Sequence, residues 1–104
     1  MILRHWKGIA KTEEAANYAN FLKTVQIPNA MKVVGFVRAA VSRREVDGGV
    51  EFMVITEGES EDAIRVFAGD DARRALIPDA MTPMLASWDE YATHYELVQR
   101  HEKA

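Results

Sequence analysis

The sequence predicts an α+β fold in which two helices cover one antiparallel sheet, in the order βαββαβ. Two amphipathic stretches carry helix signals at their ends, and four apolar runs have the length and alternation of strands. An Asp47-Gly48-Gly49 turn joins the two middle runs as a hairpin. Because each half of the chain then has the order β-α-β, the pattern is the ferredoxin-like split β-α-β arrangement. We expect residues 1–104 to form a single domain.

Composition favours an ordinary globular protein. Hydrophobic residues make up 48% and charged residues 28% of the chain, which excludes a disordered protein. The net charge of −3 gives no general attraction to nucleic acid or anionic membrane, so we expect neither as a partner. The absence of cysteine excludes disulfides, thiolate metal sites and cysteine nucleophiles. No signal-peptide pattern or bilayer-spanning apolar run is present, so the predicted location is the cytoplasm.

The first half of the pattern is a strand followed by a long helix. The segment 2–10 carries apolar side chains on both faces and is predicted to be the first strand. Thr12 offers an N-cap, and apolar residues including Tyr18 and Leu22 then recur at helical spacing. We expect this helix to end before Pro28, since a residue that precedes proline disfavours the helical conformation.

The two middle strands are predicted over 31–46 and 50–56. Each has apolar residues on both faces. In the first of these strands one face carries Val33, Val37 and Val41, and the other carries Val34, Phe36 and Ala40. In the second of them one face carries Val50, Phe52 and Val54, and the other carries Met53 and Ile55. Two helices can cover only one face of such a sheet. We therefore expect a second copy of the chain to cover the other face, which makes the protein a homodimer.

A short helix with signals at both ends follows the hairpin. Ser60 is expected to cap it, and Gly69 suits the positive φ that often follows a last helical turn. Glu61 and Arg65 are four residues apart and are expected to pair. Asp70 and Asp71 are expected to cap a further turn over 72–76. An irregular connection then leads to a last strand over 91–98.

Two histidines and an arginine within an apolar strand are the first candidates for chemistry. His5 and His94 lie on strands that are neighbours in this fold, and two close imidazoles would serve as acid and base. Since register cannot be read from sequence, the alternative is one half-buried and one solvated histidine on opposite faces. Arg38 lies inside an apolar strand and either binds an anionic substrate or pairs with a carboxylate at the rim.

Aromatic residues are the second set of candidates. They either line a pocket for an aromatic ligand or belong to the ordinary core. The set is Trp6, Tyr18, Phe36, Phe52, Phe67, Tyr91 and Tyr95.

Three segments, 60–71, 93–97 and Arg4-His-Trp-Lys-Gly8, resemble small proteins of the antibiotic biosynthesis monooxygenase-like family, in the dimeric α+β barrel superfamily. In that family's first strand an arginine, a tryptophan and a glycine often have this spacing. The resemblance covers nearly the whole chain and implies a ferredoxin-like protomer that forms a dimeric α+β barrel through its sheet. Some relatives oxidise polycyclic aromatic substrates with molecular oxygen and no cofactor, and others degrade heme.

The chain departs from that family pattern in two places. Relatives commonly have a tryptophan just before the second helix, where this chain has Glu57-Gly58. Heme-degrading relatives have a ligand histidine in or after that helix, and the segment 70–79 contains none. Heme degradation by that mechanism is therefore disfavoured.

The resemblance implies a cofactor-independent oxygenase that acts on an aromatic or quinol-like small molecule. In this interpretation His94 is the base, Trp6 forms a pocket wall and Arg4 or Arg38 contacts an anion, with Phe67 and Tyr95 as further substrate contacts. No metal or cofactor is expected. The alternative is a binding or sensing module of the same fold without catalysis. Heme degradation is the third and least favoured option. Oxygen uptake with hydroxyaromatic compounds separates the first two hypotheses.

Overall fold

A computed structural model describes residues 1–69, 71–75 and 77–103. Its strands are β1 (Ile2–Ala10), β2 (Phe36–Val46), β3 (Gly49–Gly58), β4 (Leu85–Trp88) and β5 (Thr93–Glu96). Its helices are α1 (Ala15–Phe21), α2 (Ile27–Met31) and α3 (Glu61–Ala68), with a π-helical turn over Leu22–Gln26 that joins α1 to α2, and short 3₁₀ turns at Thr12–Glu14 and Thr82–Met84. The predicted α+β class with an antiparallel sheet is confirmed, while assembly into a barrel stays a prediction.

The sheet has one more strand than the sequence predicted. Its hydrogen-bonded order is β2-β3-β1-β4, and β5 also pairs with β1. β4 pairs with the Gly8–Ala10 end of β1, and β5 pairs with the Ile2–His5 end. The connection predicted before the last strand therefore contains β4, which has one buried residue, Leu85, and lacks the alternation that would reveal a strand.

The π-helical turn explains why the first helix does not end before Pro28, as the sequence had predicted. Ile27 keeps helical angles of φ −67° and ψ −45°, and its N–H donates to Leu22, five residues earlier. Proline has no N–H, and in a regular helix its ring clashes with the carbonyl four residues before it. Because the turn just before Pro28 is widened, the helix continues to Met31. Thr12 forms no side-chain cap, since it lies within a 3₁₀ turn.

β2 begins later than predicted, and its faces differ from the predicted ones. Residues 31–35 form the helix end and a turn, so that Val34 is 93% exposed. A register shift between Phe36 and Arg38 then places a bulge at Val37. A bulge moves the following side chains to the opposite face, and Val41 therefore lies across from the inward Val54 of β3. The hairpin at Asp47-Gly48 is confirmed.

α3 has the predicted ends but a different set of ion pairs. The Ser60 hydroxyl accepts from the Ala63 N–H at 3.1 Å, and Gly69 has a φ of 96°. The predicted pair of Glu61 and Arg65 is wrong. Arg65 donates to Asp62 at 2.6 Å, which leaves the Glu61 carboxylate to contact β5.

The further turn predicted over 72–76 is not helical in the described residues. Ala72 and Arg73 form a turn whose Arg73 N–H donates to the Asp71 carboxylate at 3.4 Å, and Arg74 bridges to Tyr91. Asp70 and Leu76, the ends of that prediction, lie outside the described residues.

Replacing Ser60 with alanine should lower the free energy of unfolding by about 1 kcal/mol, because the cap hydrogen bond to Ala63 is lost. Urea unfolding followed by circular dichroism measures the change. Thr12→Ala, at an exposed position whose side chain forms no cap, is the control and should be close to neutral. Equal stability of Ser60→Ala and the wild type would show that the cap contributes nothing.

The two faces of the sheet differ in cover. The inner face, which lies under the helices, contributes to a core of Trp6, Ala10, Ala15, Tyr18, Leu22, Phe52, Val54, Met81, Leu85 and Ala92. A smaller cluster of Ile64, Ala68 and Ala72 lies beside it. The outer face, on the other side of the sheet, carries apolar residues that are half-buried or exposed, namely Leu3, Ile9, Ala40, Met53 and Ile55. The sequence could not tell which middle-strand face is left without helices, and in the structure it is the face of Met53 and Ile55.

Candidate functional site

A cleft lies between the inner face of the sheet and the helices that cover it. Its cavity volume is about 50 Å³. Because this is smaller than a usual small-molecule site, a ligand has to extend into the open mouth of the cleft or displace its walls. Its floor comes from β1 and β3, and its walls come from α1, the π-helical turn, α2 and α3. The lining residues are Arg4, Trp6, Tyr18, Leu22, Gln26, Ile27, Ala30, Val54, Thr56, Phe67, Ala68 and Met81.

Arg4 brings a buried positive charge to this cleft. Its side chain is held from behind by two backbone carbonyls, with Nε donating to Ala72 at 3.2 Å and Nη2 donating to Arg74 at 3.0 Å. Among residues 1–69, 71–75 and 77–103, no ion pair to Arg4 is found within 4.0 Å, and burial lowers the pKa of its guanidinium. Since a guanidinium has five N–H donors, further donors remain for a ligand.

Two hydroxyl groups in the cleft lack hydrogen-bond partners within the described part of the chain. The Tyr18 hydroxyl and the Thr56 Oγ1 are both buried and unpaired. Thr56 lies directly opposite Arg4 in the β1–β3 ladder. Burial raises the pKa of the Tyr18 phenol, which therefore stays protonated and can donate a hydrogen bond. A cation and two free hydroxyls in a mostly apolar cleft fit a ligand oxygen.

Replacing Tyr18 with phenylalanine should raise the free energy of unfolding by about 1 kcal/mol, because the substitution removes a buried, unpaired hydroxyl. The ring keeps its edge-to-face contact with Phe52, whose centroid lies 4.9 Å away. Urea unfolding measures the change, and Tyr91→Phe is the matched control, since that ring is half exposed. A loss of stability in Tyr18→Phe would mean that its hydroxyl has a partner.

Trp6 and Phe67 form apolar walls of the cleft. The Trp6 indole is oriented by a hydrogen bond from Nε1 to the Asp89 carbonyl, at 2.7 Å. Its ring lies across Gly8, where an added Cβ would come within 2.7 Å of the indole. The spacing of tryptophan and glycine in β1 thus has a packing reason. Phe67 of α3 packs edge to face on Phe36, with centroids 6.0 Å apart.

His94 lies behind the cleft and outside its lining. Its Nδ1 contacts both carboxylate oxygens of Glu61, at 2.9 and 3.1 Å, and its Nε2 contacts the Ala72 carbonyl at 3.2 Å. β5 places His94 directly opposite Arg4 in the sheet ladder. The imidazole therefore shares the inner face with the Arg4 side chain but does not line the cleft, and its predicted role as base stays a prediction.

The remaining predicted site residues lie on the outer face. Arg38 pairs with Glu57, with 3.3 Å between Nε and Oε2, and Arg100 also donates to this buried carboxylate. The Tyr95 ring contacts His5 at a centroid distance of 4.8 Å. The structure thus brings Arg4, Trp6 and Phe67 together in the cleft, and it separates Arg38, Tyr95 and His5 from them. His5 and His94 lie on opposite faces.

The hydroxyls of Tyr18 and Thr56 were not singled out as polar contacts by sequence reasoning. One signal was present for Thr56, which continues the alternate row of Phe52 and Val54 and so places a polar group on a buried face. Tyr18 was included only as an aromatic side chain, and its lack of a partner depends on packing that the sequence does not show.

Neither a metal site nor a membrane span is found in the described segments. Within 1–69, 71–75 and 77–103, no three His, Asp or Glu side chains converge on a possible metal position. The helices of these same segments are too short or too polar to cross a bilayer.

Solved structures share this fold. A "putative antibiotic biosynthesis monooxygenase" from Deinococcus radiodurans matches with a TM-score of 0.69 and 20% identity, over 100% of this chain and 99% of that one. A protein of the same name from Bacillus cereus matches with a TM-score of 0.65 and 17% identity, over 99% and 98% of the two chains. A monooxygenase of Streptomyces coelicolor, in complex with nanaomycin D, matches with a TM-score of 0.59 and 15% identity, over 99% and 90%.

These likenesses define the class of the protein at the level of fold. The chain has the α+β fold of the antibiotic biosynthesis monooxygenases, as the sequence resemblance predicted. No protein-family model matches the chain, and no curated protein matches it.

Proposed function

We propose that the cleft binds a planar aromatic or quinol-like molecule through one of its oxygens, and that the protein oxidises this molecule with molecular oxygen. The observation that carries the proposal is the buried Arg4 cation beside the unpaired hydroxyls of Tyr18 and Thr56. A buried charge without a counter-charge, or a buried hydroxyl without a hydrogen-bond partner, costs free energy of folding. A ligand oxygen that contacts these groups would offset that cost. The named monooxygenase with a bound ligand shares the fold and supports this choice.

In the proposed reaction the substrate supplies the electrons that reduce oxygen. The substrate is the keto form of a hydroxyarene, with a ring CH₂ that loses a proton and leaves an aryloxide. The overall change is R₂CH₂ + O₂ → R₂C=O + H₂O, in which the ring carbon is oxidised and one oxygen atom leaves as water. Arg4 would stabilise the aryloxide, and the Tyr18 hydroxyl would donate to the same oxygen.

The walls of the cleft would contribute by excluding water. The lining is mostly apolar and includes Trp6, Leu22, Val54 and Phe67. In such surroundings the charge of Arg4 acts on the ligand more strongly than it would in water. The sequence predicted His94 as the base and Arg38 and Tyr95 as substrate contacts. None of the three lines the cleft, so these roles stay predictions and the proposed reaction does not depend on them.

Oxygen uptake by the pure protein with a panel of hydroxyaromatic compounds tests this function. We expect uptake that follows substrate loss, with the ketone as product. If compounds that raise the melting temperature are returned unchanged and no oxygen is consumed, the oxygenase proposal fails and the cleft is a binding site alone.

One observation favours that second candidate, a binding or sensing module without catalysis. None of the described residues that line the cleft is a histidine, a carboxylate or a lysine. A base for proton removal would have to act from behind the lining or from solvent. Binding with thermal stabilisation and no turnover is the result that this candidate predicts.

We also propose that the protein is a homodimer built through the outer face. Met53 and Ile55 of β3 and Leu3 of β1 form an apolar row there that the helices leave uncovered. A second sheet face of the same kind would cover this row, as in permanent interfaces. The cytoplasmic location stays a prediction.

A further inference from the structure

We propose that His94 is a positioning residue for Arg4, and that it holds the loop carbonyl which directs the guanidinium toward the cleft. The affinity of the cleft for anionic ligands then depends on a histidine that no ligand touches. This inference rests on the proposed function, because it takes Arg4 as the anion contact.

The Ala72 carbonyl is the element that joins the two side chains. It accepts from Arg4 Nε at 3.2 Å and contacts His94 Nε2 at 3.2 Å. Ala72 is itself buried, with 6% of its surface exposed. A carbonyl held by two donors has less freedom than one held by a single donor, so loss of the His94 contact would loosen the anchor of Arg4.

The Nε2 of His94 carries a hydrogen, because the Ala72 carbonyl that it faces only accepts. The Nδ1 faces the Glu61 carboxylate at 2.9 Å. The His94 side chain is only 6% exposed.

The contacts of His94 connect β5 to α3 and to the loop that follows α3. Glu61 lies in the first turn of α3, the helix that carries Phe67 into the lining. Ala72 lies in the loop after α3, whose Arg74 carbonyl also accepts from Arg4. The charged groups around the imidazole are Glu61 from α3, Arg4 from β1 and Arg73 from the loop.

Glutamine and asparagine at position 94 separate the two contacts. A glutamine amide reaches the place of Nε2 and can still donate to the Ala72 carbonyl. An asparagine amide reaches only the place of Nδ1 and keeps the contact with Glu61. If His94 were a general base, both variants would lose that role. If His94 only packed against its neighbours, both variants would be affected to a similar degree.

Calorimetric titration with 2-naphthoate and with its neutral analogue 2-naphthamide measures the effect on the cleft. We expect His94→Asn to weaken 2-naphthoate about tenfold, because the Ala72 carbonyl loses one of its two donors and holds the Arg4 guanidinium less firmly. His94→Gln should stay within about threefold of the wild type, and 2-naphthamide should be nearly unaffected. The same substitutions at His101, which is exposed in the C-terminal tail, are the controls. Equal affinities of His94→Asn and wild type for 2-naphthoate would overturn the inference while leaving Arg4 as the anion contact.

Nuclear magnetic resonance of the ligand-free protein gives a second test that needs no binding. The Arg4 Nε–H signal should be protected from exchange in the wild type and in His94→Gln. In His94→Asn it should shift and exchange faster. An unchanged Arg4 signal in His94→Asn would refute the positioning role even if neither naphthalene probe binds.

Discussion

Replacement of Arg4 by methionine should weaken the binding of 2-naphthoate by about tenfold or more, since a hydrogen bond to a charged group contributes about 1.5–3 kcal/mol. Oxygen uptake on any active hydroxyaromatic compound should fall at least as much, because the aryloxide loses its counter-charge. The methionine fills a similar volume and removes a buried charge, so we expect the fold to be retained. Calorimetric titration and oxygen electrode measurements quantify the two effects.

A matched arginine provides the control for that substitution. Arg43 is exposed on β2, away from the cleft, and Arg43→Met changes the net charge equally. The control should bind 2-naphthoate as the wild type does. If Arg4→Met binds as tightly as Arg43→Met, Arg4 is not the anion contact, and the proposed substrate class fails with it.

Replacement of Ile55 by aspartate should yield insoluble or unfolded protein instead of a clean monomer. Ile55 lies in the middle of the outer face, opposite His5 of β1 and Ala40 of β2. In a homodimer a buried, unpaired carboxylate at that place would cost several kcal/mol. Soluble yield and sedimentation equilibrium at low micromolar protein measure the effect, and the wild type is expected at twice its chain mass of 11.7 kDa.

The control for the interface is an exposed apolar residue on the helical side. Val66 of α3 is 72% exposed, and Val66→Asp should leave the dimer intact. A wild-type protein that sediments as a stable, folded monomer would contradict the interface proposal. A soluble, folded dimer of Ile55→Asp would place the interface elsewhere.

Local signals predicted much of the fold. The Ser60 cap and the positive φ of Gly69 depend on residues within a few positions, and both are present. The hairpin at Asp47-Gly48 likewise needs only the turn residues. The predicted end of the first helix was wrong because the π-helical turn before Pro28 departs from regular helix geometry. No short sequence motif predicts such a turn.

The candidate site could be predicted only in part, because its geometry depends on distant residues. Arg4 and Trp6 were named through a motif confined to β1. The Arg4 bond to Ala72 spans 68 positions, and the contact of His94 with Glu61 spans 33. Neither could be inferred without the register of the sheet, and helical spacing favoured the wrong partner, Arg65, for Glu61.

A crystal structure of the protein soaked with 2-naphthoate tests the central claim most directly. The account predicts the ring between Trp6 and Phe67, with the carboxylate on the Arg4 guanidinium and within hydrogen-bond distance of the Tyr18 and Thr56 hydroxyls. A carboxylate bound elsewhere, or an empty cleft at saturating ligand, would contradict the claim that this cleft is the ligand site.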